Sequence, residues 1–347
     1  MDSKKAQVTV LSALALSALA KSTGFSLCGF ARAEPIPSEV LGTWLDAGFA
    51  ADMDWMKERL AERLDVRRLL PEAETVMVMA CGYQTAQTAP SLVASYAQGR
   101  DYHYTLHDRL RAVRRGLRQM QPGIRFFDSV DHGPVMEKVW AVRAGLGFVG
   151  KSGCLITPEF GTYVVLCTLI LGASVDAYAS TVAADRCGKC RLCIEACPTD
   201  AILPERRVDA RACISYQSIE NSGAVPDALR MAFSSTVLGC DICQTVCPLN
   251  EDVAQVDDAR FMPRPAAGLT AREFASLTPE AFREVAKGTP LMRPGYDGIR
   301  RNAAYALGAM RDDGARDILQ ALSADEHAGV REAALWALAQ LESKSAA

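Results

Sequence analysis

Eight of the twelve cysteines stand in two ordered groups, and their spacing predicts iron–sulfur chemistry. The first group, from Cys187 to Pro198, reads C-x2-C-x2-C-x3-C-P, the pattern of bacterial two-cluster ferredoxins. In that pattern three closely spaced thiolates bind one cluster and the fourth binds the other. The second group runs from Cys240 to Pro248, and the distant Cys213 replaces its third clustered cysteine. We therefore assign four cysteines to each of two 4Fe-4S clusters: Cys187, Cys190, Cys193 and Cys247 to one, and Cys197, Cys213, Cys240 and Cys243 to the other.

Two other uses of cysteine fit this spacing less well. Zinc sites use C-x2-C pairs but not the longer run of the first group. Disulfide frameworks are typical of small secreted proteins, whereas this chain has 347 residues. The remaining cysteines stand singly in apolar surroundings, and we interpret them as small buried side chains: Cys28, Cys81, Cys154 and Cys167.

Asp131 and His132 stand side by side before a predicted helix, where they could do acid–base work. From the residues alone, a helix cap is the commoner interpretation of Asp131, because Asp is among the best N-cap residues. The histidines show no metal-binding spacing, so we interpret all four as structural or surface residues: His103, His107, His132 and His327.

The segment from Gly145 to Ser152 matches two phosphate-binding patterns, G-x-G-x-x-G and G-x4-G-K-[ST]. Either motif should follow a strand and open a helix. Here residues 135–144 are helical in character, and residues 153–158 read as a turn followed by an extended segment. We therefore expect no nucleoside triphosphate site, although backbone amides and Lys151 still favour an anionic group.

The chain is long enough for two or three domains, and its character changes twice along the sequence. Residues 1–175 alternate helical stretches with β-rich runs and predict an α/β domain. Residues 176–260 hold the cysteines and are rich in turns. Residues 261–347 are helical. We thus predict a multidomain α+β protein.

Four elements of the first region are clear enough to predict individually. Residues 75–80 and 163–170 read as buried strands, and residues 106–120 as a helix. A further helix over residues 39–47 should end at Gly48, a suitable C-cap residue.

The N-terminal stretch from Val8 to Leu19 is apolar and follows Lys4 and Lys5, which is similar to a short secretory signal. We favour a first helix packed on the core, because apolar residues recur near helical spacing and serines interrupt the run. The twin-arginine pair expected for export of a prefolded iron–sulfur protein does not precede this apolar stretch. Since no apolar run reaches about 18 residues, we predict no membrane span.

The helical region contains an internal repeat. Residues 298–310 and 329–341 share the pattern G-[IV]-R-x-x-A-x-x-A-L-x-x-[LM]. Such self-similarity is typical of stacked HEAT-type helix pairs, although an ordinary helical hairpin is the alternative.

Two sets of arginines form local basic surfaces in a chain of net charge −3. They are Arg111, Arg114, Arg115 and Arg118 on one predicted helix face, and Arg293, Arg300, Arg301 and Arg311 around the first repeat. Such surfaces are compatible with a phosphate-backbone partner, although most charge runs are only solvated faces.

Segments spread over nearly the whole chain resemble the epoxyqueuosine reductases. They include both cysteine groups and residues 96–103 (Tyr-Ala-Gln-Gly-Arg-Asp-Tyr-His), 130–131, 134–138, 144–151 and 300–303. The chain departs from the family pattern at His132, Gly133, Phe148 and Leu249 and over residues 234–238. His132 is the most interesting departure, because it could perturb Asp131 or contact the substrate.

The resemblance implies a fold and a reaction. The N-terminal domain would bind cobalamin and be related in fold to reductive dehalogenases. It would be followed by a ferredoxin-like domain with two 4Fe-4S clusters and by a HEAT-like helical domain. The clusters would pass electrons to the cobalt, and epoxyqueuosine at the tRNA wobble position would be reduced to queuosine. Asp131 would be the proton donor, a role for which a low-polarity site that raises its pKa would be suitable.

The resemblance also implies cofactor contacts. Polar residues that would line the corrinoid pocket are Arg63, Arg100, Asp131, Lys151 and Ser152. Ser215 and Asp241 would lie beside cluster ligands, where the cofactor should approach. The sequence lacks D-x-H-x-x-G, the usual lower-ligand motif, in agreement with a cofactor that has no protein histidine on cobalt.

The predicted partners are tRNA carrying epoxyqueuosine and an electron donor such as flavodoxin or ferredoxin, with the protein in the cytoplasm. We expect the helical tail to hold RNA and Arg300 and Arg301 to contact it. Two other functions remain open from the residues: a corrinoid reductase of a small molecule, similar to the dehalogenases, and a simple electron carrier. Because the carrier would need only the ferredoxin-like domain, it would leave the N-terminal region without a function.

Overall fold

The computed structural model describes residues 10–204 and 206–345. The strands in this part of the chain are β1 (Val10–Leu11), β2 (Leu27–Arg32), β3 (Thr75–Gly82), β4 (Phe126–Ser129), β5 (Phe148–Val149), β6 (Leu155–Ile156), β7 (Val164–Leu171), β8 (Ser174–Val175), β9 (Ile202–Leu203) and β10 (Arg207–Val208). The α-helices are α1 (Ala13–Ser22), α2 (Glu39–Asp46), α3 (Leu60–Leu64), α4 (Tyr102–Met120), α5 (Glu137–Arg143), α6 (Leu192–Glu195), α7 (Ile214–Ile219), α8 (Asp227–Arg230), α9 (Ile242–Thr245), α10 (Ala271–Ala275), α11 (Pro279–Ala286), α12 (Gly295–Ala309), α13 (Arg316–Leu322) and α14 (Ala328–Ser345).

A four-stranded sheet in the order β2-β3-β7-β4 organises the N-terminal part of the chain, and all its pairings are antiparallel. Every residue of β3 is buried, because both faces of the sheet are covered by helices. Side chains alternate along a strand, so its residues divide between two cores. Met77 and Met79 face the core with α1 and α4, whereas Val76 and Val78 face the core with α5. Both predicted strands are therefore confirmed.

Helix α4 packs one apolar face on this sheet. Its buried residues Leu106, Leu110, Val113 and Leu117 recur at the spacing of one helix side. Asp101 caps the helix by accepting a hydrogen bond from the backbone N–H of His103 at 2.9 Å. This cap places the side chains of the first turn at the sheet edge where β4 ends.

The structure also confirms the predictions for the helix that precedes Gly48 and for the Gly145–Ser152 segment. Helix α2 ends one residue before Ala47, and Gly48 follows with a left-handed φ of +70°, as the C-cap prediction requires. The Gly145–Ser152 segment follows helix α5 and runs through β5 into a turn, so it is not a phosphate loop between a strand and a helix.

The apolar N-terminal stretch forms helix α1, which packs on the core through Leu16 and Ala20. The packed-helix interpretation is therefore confirmed for residues 13–19, whereas Val8 lies outside the described residues. In the part of the chain that the structure describes, the helices are too short or too polar to cross a membrane.

The helical tail is a repeat of packed helices. Helices α12 and α14 hold the two sequence repeats and lie against each other. A Cβ on Gly308 would come within 2.7 Å of the Ala337 backbone, so glycine permits this close approach. The tail shares one hydrophobic core with Val93 and with residues 214–238 of the cysteine region.

Arg301 is a structural residue and not an RNA contact, which corrects the expectation from its sequence position. Its side chain is 1% exposed and donates hydrogen bonds to the carbonyl oxygens of Gln217, Asn221 and Gly223 at 2.6 to 2.9 Å. Arg300 is largely buried as well and pairs with Asp325. Neither guanidinium is available to a phosphate backbone, because both are already bound inside the protein.

Reversing the charge of Arg301 should therefore unfold the tail. We expect Arg301→Glu to lower the free energy of unfolding by more than about 3 kcal/mol, because a buried carboxylate would face three carbonyl oxygens. Urea unfolding followed by circular dichroism measures this change. The exposed Arg115→Glu should stay within about 0.5 kcal/mol of the parent protein. Equal stability of the two variants would contradict the structural role.

Candidate active site

Asp131 lies on a tight loop between β4 and α5. Its backbone has a φ of +58°, a left-handed conformation that non-glycine residues adopt rarely. The carboxyl group of Glu137 stabilises this conformation by accepting a hydrogen bond from the Asp131 N–H at 3.0 Å. Met136 occupies the N-cap position of helix α5, so the helix-cap interpretation of Asp131 is wrong. The loop instead presents an aspartate whose side chain is 58% exposed.

The first turn of α4 holds the Asp131 carboxylate. Tyr102 donates its hydroxyl hydrogen bond to Oδ2 at 2.9 Å, and Nε2 of His103 lies 3.1 Å from the same oxygen. Nδ1 of His103 lies 2.7 Å from the Asp101 carboxylate. The imidazole of His132 packs on His103, with their centroids 4.3 Å apart. Two carboxylates therefore flank one histidine.

The pKa of Asp131 is shifted in the opposite direction to the one expected from the sequence. Desolvation acts to raise the pKa of Asp131, but hydrogen bonds from His103 and Tyr102 outweigh it and hold that pKa below its usual range. Burial opposes the charge of His103, yet its bonds to Asp101 and Asp131 raise its pKa to about 9. Burial also raises the pKa of Glu137 to about 8. The expected rise in the pKa of Asp131 is thus not found, because polar groups surround the carboxylate.

The sequence does not identify two members of this site, His103 and Glu137. It favours a structural or surface role for His103 and does not distinguish Glu137, whereas it already marks His132 as a residue that could perturb Asp131. The sequence feature that could have identified His103 is its position in the Tyr-Ala-Gln-Gly-Arg-Asp-Tyr-His segment, two residues after its partner Asp101. The contact between that segment and Asp131 joins residues far apart in sequence, so only the fold displays it.

Three cysteines of the first group and one of the second line a small cavity of about 80 Å³. All four thiols predicted for the first cluster face it: Cys187, Cys190, Cys193 and Cys247. Its walls include the apolar side chains of Ile156, Leu192 and Leu249. Four thiols around one cavity are the donor set of a 4Fe-4S cluster.

The second cysteine group is more deeply placed. Burial raises the pKa of Cys240 to about 11, and the nearby thiols Cys213 and Cys197 add to the effect. The pKa of Cys243 is raised by its hydrogen bond with Cys154 and by burial, and Cys240 and Cys213 add to this effect. The chain therefore brings the predicted second set together, although Cys213 is distant in sequence.

Asp241 and Ser215 accompany the second cysteine group. The Asp241 carboxylate accepts hydrogen bonds from the Ser95 N–H at 2.6 Å and the Ser95 hydroxyl at 2.7 Å. It also accepts one from the Gln244 amide at 2.9 Å. Ser215 lies in helix α7, which follows Cys213. Asp241 thereby fixes the second cysteine loop to the segment that leads into α4.

The remaining predicted cofactor residues lie in three different places. Arg63 is buried and donates to the carbonyl oxygen of Trp55 at 3.0 Å, and burial lowers its pKa. Arg100 pairs with Asp108 at 2.9 Å. Lys151 donates to the carbonyl oxygens of Gly188 and Cys190, both at 2.7 Å. Ser152 lies beside it at the first cysteine cavity.

Comparison with known proteins identifies the family. The model of "Epoxyqueuosine reductase QueG" matches residues 63–131, the model of a 4Fe-4S double cluster binding domain matches residues 186–250, and the model of HEAT repeats matches residues 291–347. The epoxyqueuosine reductase of Gloeobacter violaceus is 39% identical over 84% of this chain and 95% of its own length. The chain belongs to the epoxyqueuosine reductase family.

Solved structures of this family have the same fold. An epoxyqueuosine reductase bound to an epoxyqueuosine-modified tRNA-Tyr stem loop is 28% identical, with a TM-score of 0.86 over 94% of this chain and 89% of that one. The Bacillus subtilis enzyme with its catalytic aspartate loop swung out of the active site is 27% identical, with a TM-score of 0.86 over 94% and 90%. The predicted iron–sulfur oxidoreductase, with its ferredoxin-like domain and HEAT-like tail, is therefore confirmed. The sheet is antiparallel throughout, which the predicted fold class had left open.

The loop that carries Asp131 depends on a glycine. A Cβ on Gly133 would lie 2.0 Å from Oγ of the buried Ser129. We expect Gly133→Ala to cost about 1 to 3 kcal/mol of unfolding free energy, because this overlap forces the loop outward. Urea unfolding measures the cost, with Gly42→Ala as the control because that position has open space. A Gly133→Ala variant as stable as its control would show that the loop has room for the methyl group.

Proposed function

We propose that this chain reduces epoxyqueuosine in tRNA to queuosine. The observation that carries the proposal is an exposed acid, Asp131, which His103 and Tyr102 hold in place in a chain of this family. Reduction of an epoxide to an alkene takes up two electrons and two protons and releases water. The reaction therefore needs both an electron path and a proton donor, and the structure contains groups for each.

We propose Cys187, Cys190, Cys193 and Cys247 as the ligands of one cluster and Cys197, Cys213, Cys240 and Cys243 as the ligands of the other. The proposal is supported by the cavity lined by the first set and by the proximity of the second. The domain limits implied by this assignment are residues 1–175, 176–260 and 261–347. Asp241 joins the second set to the active-site side of the protein through Ser95.

We propose cobalamin as the cofactor between the clusters and the substrate. Bound cobalamin would supply a strongly reducing cobalt centre. Arg100, Ser215 and Asp241 are its proposed contacts, together with the exposed carboxyl group of Asp131. Arg63, Lys151 and Ser152 were also predicted as contacts; Arg63 and Lys151 already donate to main-chain carbonyl oxygens, so they could act by shaping the site.

The proposed partner is tRNA, as in the relative bound to a modified stem loop. Because Arg300 and Arg301 are bound inside the protein, the RNA surface should use other cations. Arg111, Arg115 and Arg118 are exposed on α4, the helix that begins at the active site. We further propose that the protein acts in the cytoplasm, where it would receive electrons from flavodoxin or a ferredoxin.

An anaerobic conversion assay tests the proposal. The protein, with reconstituted clusters, cobalamin and a strong reductant, is incubated with a tRNA stem loop that contains epoxyqueuosine. Nucleoside mass spectrometry then measures queuosine. Conversion supports the function, whereas intact epoxyqueuosine with clusters and cobalamin both bound would refute it.

Asp131→Asn should abolish most turnover. We expect the rate to fall at least about 100-fold, because an amide cannot replace a carboxylic acid as proton donor. Cluster and cobalamin absorption should remain. Asp128→Asn is the matched control, because Asp128 lies on the same strand end and pairs with Arg114 instead. Turnover by Asp131→Asn at the parent rate would remove Asp131 from the mechanism.

Replacing a single cysteine ligand should remove one cluster and leave the other in place. We expect Cys193→Ala and Cys213→Ala each to lose about four of about eight irons per chain, because each removes a ligand of a different cluster. Iron analysis and electron paramagnetic resonance of the reduced protein measure this loss. Cys167→Ala, at a buried thiol outside both groups, should keep all the iron. Unchanged iron in either ligand variant would disprove that ligand assignment.

A further inference from the structure

Asp131 does not hold the proton that the reaction needs, because its surroundings favour the ionised carboxylate. Its carboxylate accepts hydrogen bonds from Tyr102 and His103, and both contacts favour the ionised form. A carboxylate that is ionised at neutral pH cannot donate a proton until a neighbour supplies one. The reduction also consumes two protons, whereas one carboxylic acid carries a single proton. Asp131 must therefore be loaded once for every proton that it delivers.

His103 is placed to do this loading. Its Nε2 lies 3.1 Å from Oδ2 of Asp131, and its Nδ1 lies 2.7 Å from Oδ1 of Asp101. The Asp101 side chain is itself fixed, because the same oxygen caps helix α4. The ring is thus held with one nitrogen toward an anchoring carboxylate and the other toward the acid. The side chain is 21% exposed, so solvent can return a proton to it.

We propose that His103 supplies the protons that Asp131 delivers to the substrate oxygen. This inference rests on the proposed function. His103 acts through Asp131 and is therefore a positioning and proton-supplying residue, and Asp101 fixes its orientation.

Each proton transfer from His103 to Asp131 and on to the substrate conserves atoms and charge. The Nε2–H bond of His103 breaks and an O–H bond forms on Asp131, which leaves a neutral imidazole and a carboxylic acid. Asp131 then gives this proton to the epoxide oxygen and returns to the carboxylate. His103 takes a new proton from solvent, and a second round completes the water molecule. Two electrons, which the proposed iron–sulfur clusters would supply, are taken up as the two C–O bonds of the epoxide break and the second bond of the alkene forms.

The surroundings of His103 set its proton affinity. Its bonds to two carboxylates outweigh burial and raise its pKa to about 9, so the ring carries its proton at neutral pH. The titratable and charged groups around it are Asp101, Tyr102 and His107 on its own segment, Asp131 and His132 on the facing loop, and Glu137 and Arg293 beyond Asp131. Since the pKa is raised, proton supply is present below about pH 9 and is lost as pH rises through that value.

Single-turnover rates against pH test the proposal in the holoenzyme. We expect His103→Gln to be about 100-fold slower at pH 7.5, because the Asp131 carboxylate must then take its proton directly from solvent. The defect should shrink as pH falls toward the carboxyl titration. It should grow as pH rises only up to about pH 9, where the parent enzyme loses its own proton supply from His103. His107→Gln, one turn further along α4, should keep the parent profile. A constant ratio of parent to His103→Gln rates at all pH values would show a merely structural role and overturn the proposal.

A second measurement does not depend on turnover. The chain has four histidines, so NMR of protein labelled at histidine Cε1 gives four signals, which single variants assign. One signal, absent in His103→Gln, should titrate near pH 9. Asp131→Asn should lower that midpoint by about one unit, because it removes one of the two carboxylates. If His103 titrates near the ordinary value of about 6.5, the proposal fails even when the protein converts epoxyqueuosine. A raised midpoint without any conversion of epoxyqueuosine would refute the proposed function, and only the proton-holding contact between His103 and Asp131 would stand.

Discussion

The pairing of β3 with β7 over their full lengths is the constraint on which the rest of the structure depends. Because both strands are buried, helices must cover both faces of the sheet, and α4 and α5 do so from opposite sides. Strand β7 also pairs with β4, so its register fixes where β4 ends and the Asp131 loop begins. The first turn of α4 lies beside that loop because its apolar face is held on the same sheet. The chemistry of the site therefore follows from the packing of the core.

Buried polar groups connect the other regions to this core. Arg301 and Asn302, adjacent on α12, bind main-chain carbonyl oxygens of residues 217–237. A buried arginine is costly to desolvate, and only full hydrogen bonding makes it tolerable. The tail is thereby fixed to the segment that leads from Cys213 to Cys240. At the other side of the second cysteine group, Asp241 binds Ser95 and ties that group to the entry of α4.

Two opposing effects, desolvation and hydrogen bonding, determine the charge of Asp131 in the active site. Desolvation favours a neutral Asp131, whereas the hydrogen bonds of Tyr102 and His103 favour a carboxylate, and the hydrogen bonds prevail. The proton that Asp131 lacks is held by the adjacent histidine, whose two carboxylate partners stabilise its charge. Glu137 completes the group by holding the Asp131 backbone in a conformation that is rare outside glycine.

The sequence by itself determined the parts that depend on local spacing. The cysteine pattern predicted the two clusters, continuous apolar runs predicted β3 and β7, and the repeated motif predicted the helical tail. Only the tertiary structure decided which distant residues meet. It placed His103 against Asp131 and buried Arg301, although the sequence had suggested a surface histidine and an RNA-binding arginine. The physical reason is that burial and hydrogen bonding depend on contacts between remote segments, and no local pattern records those contacts.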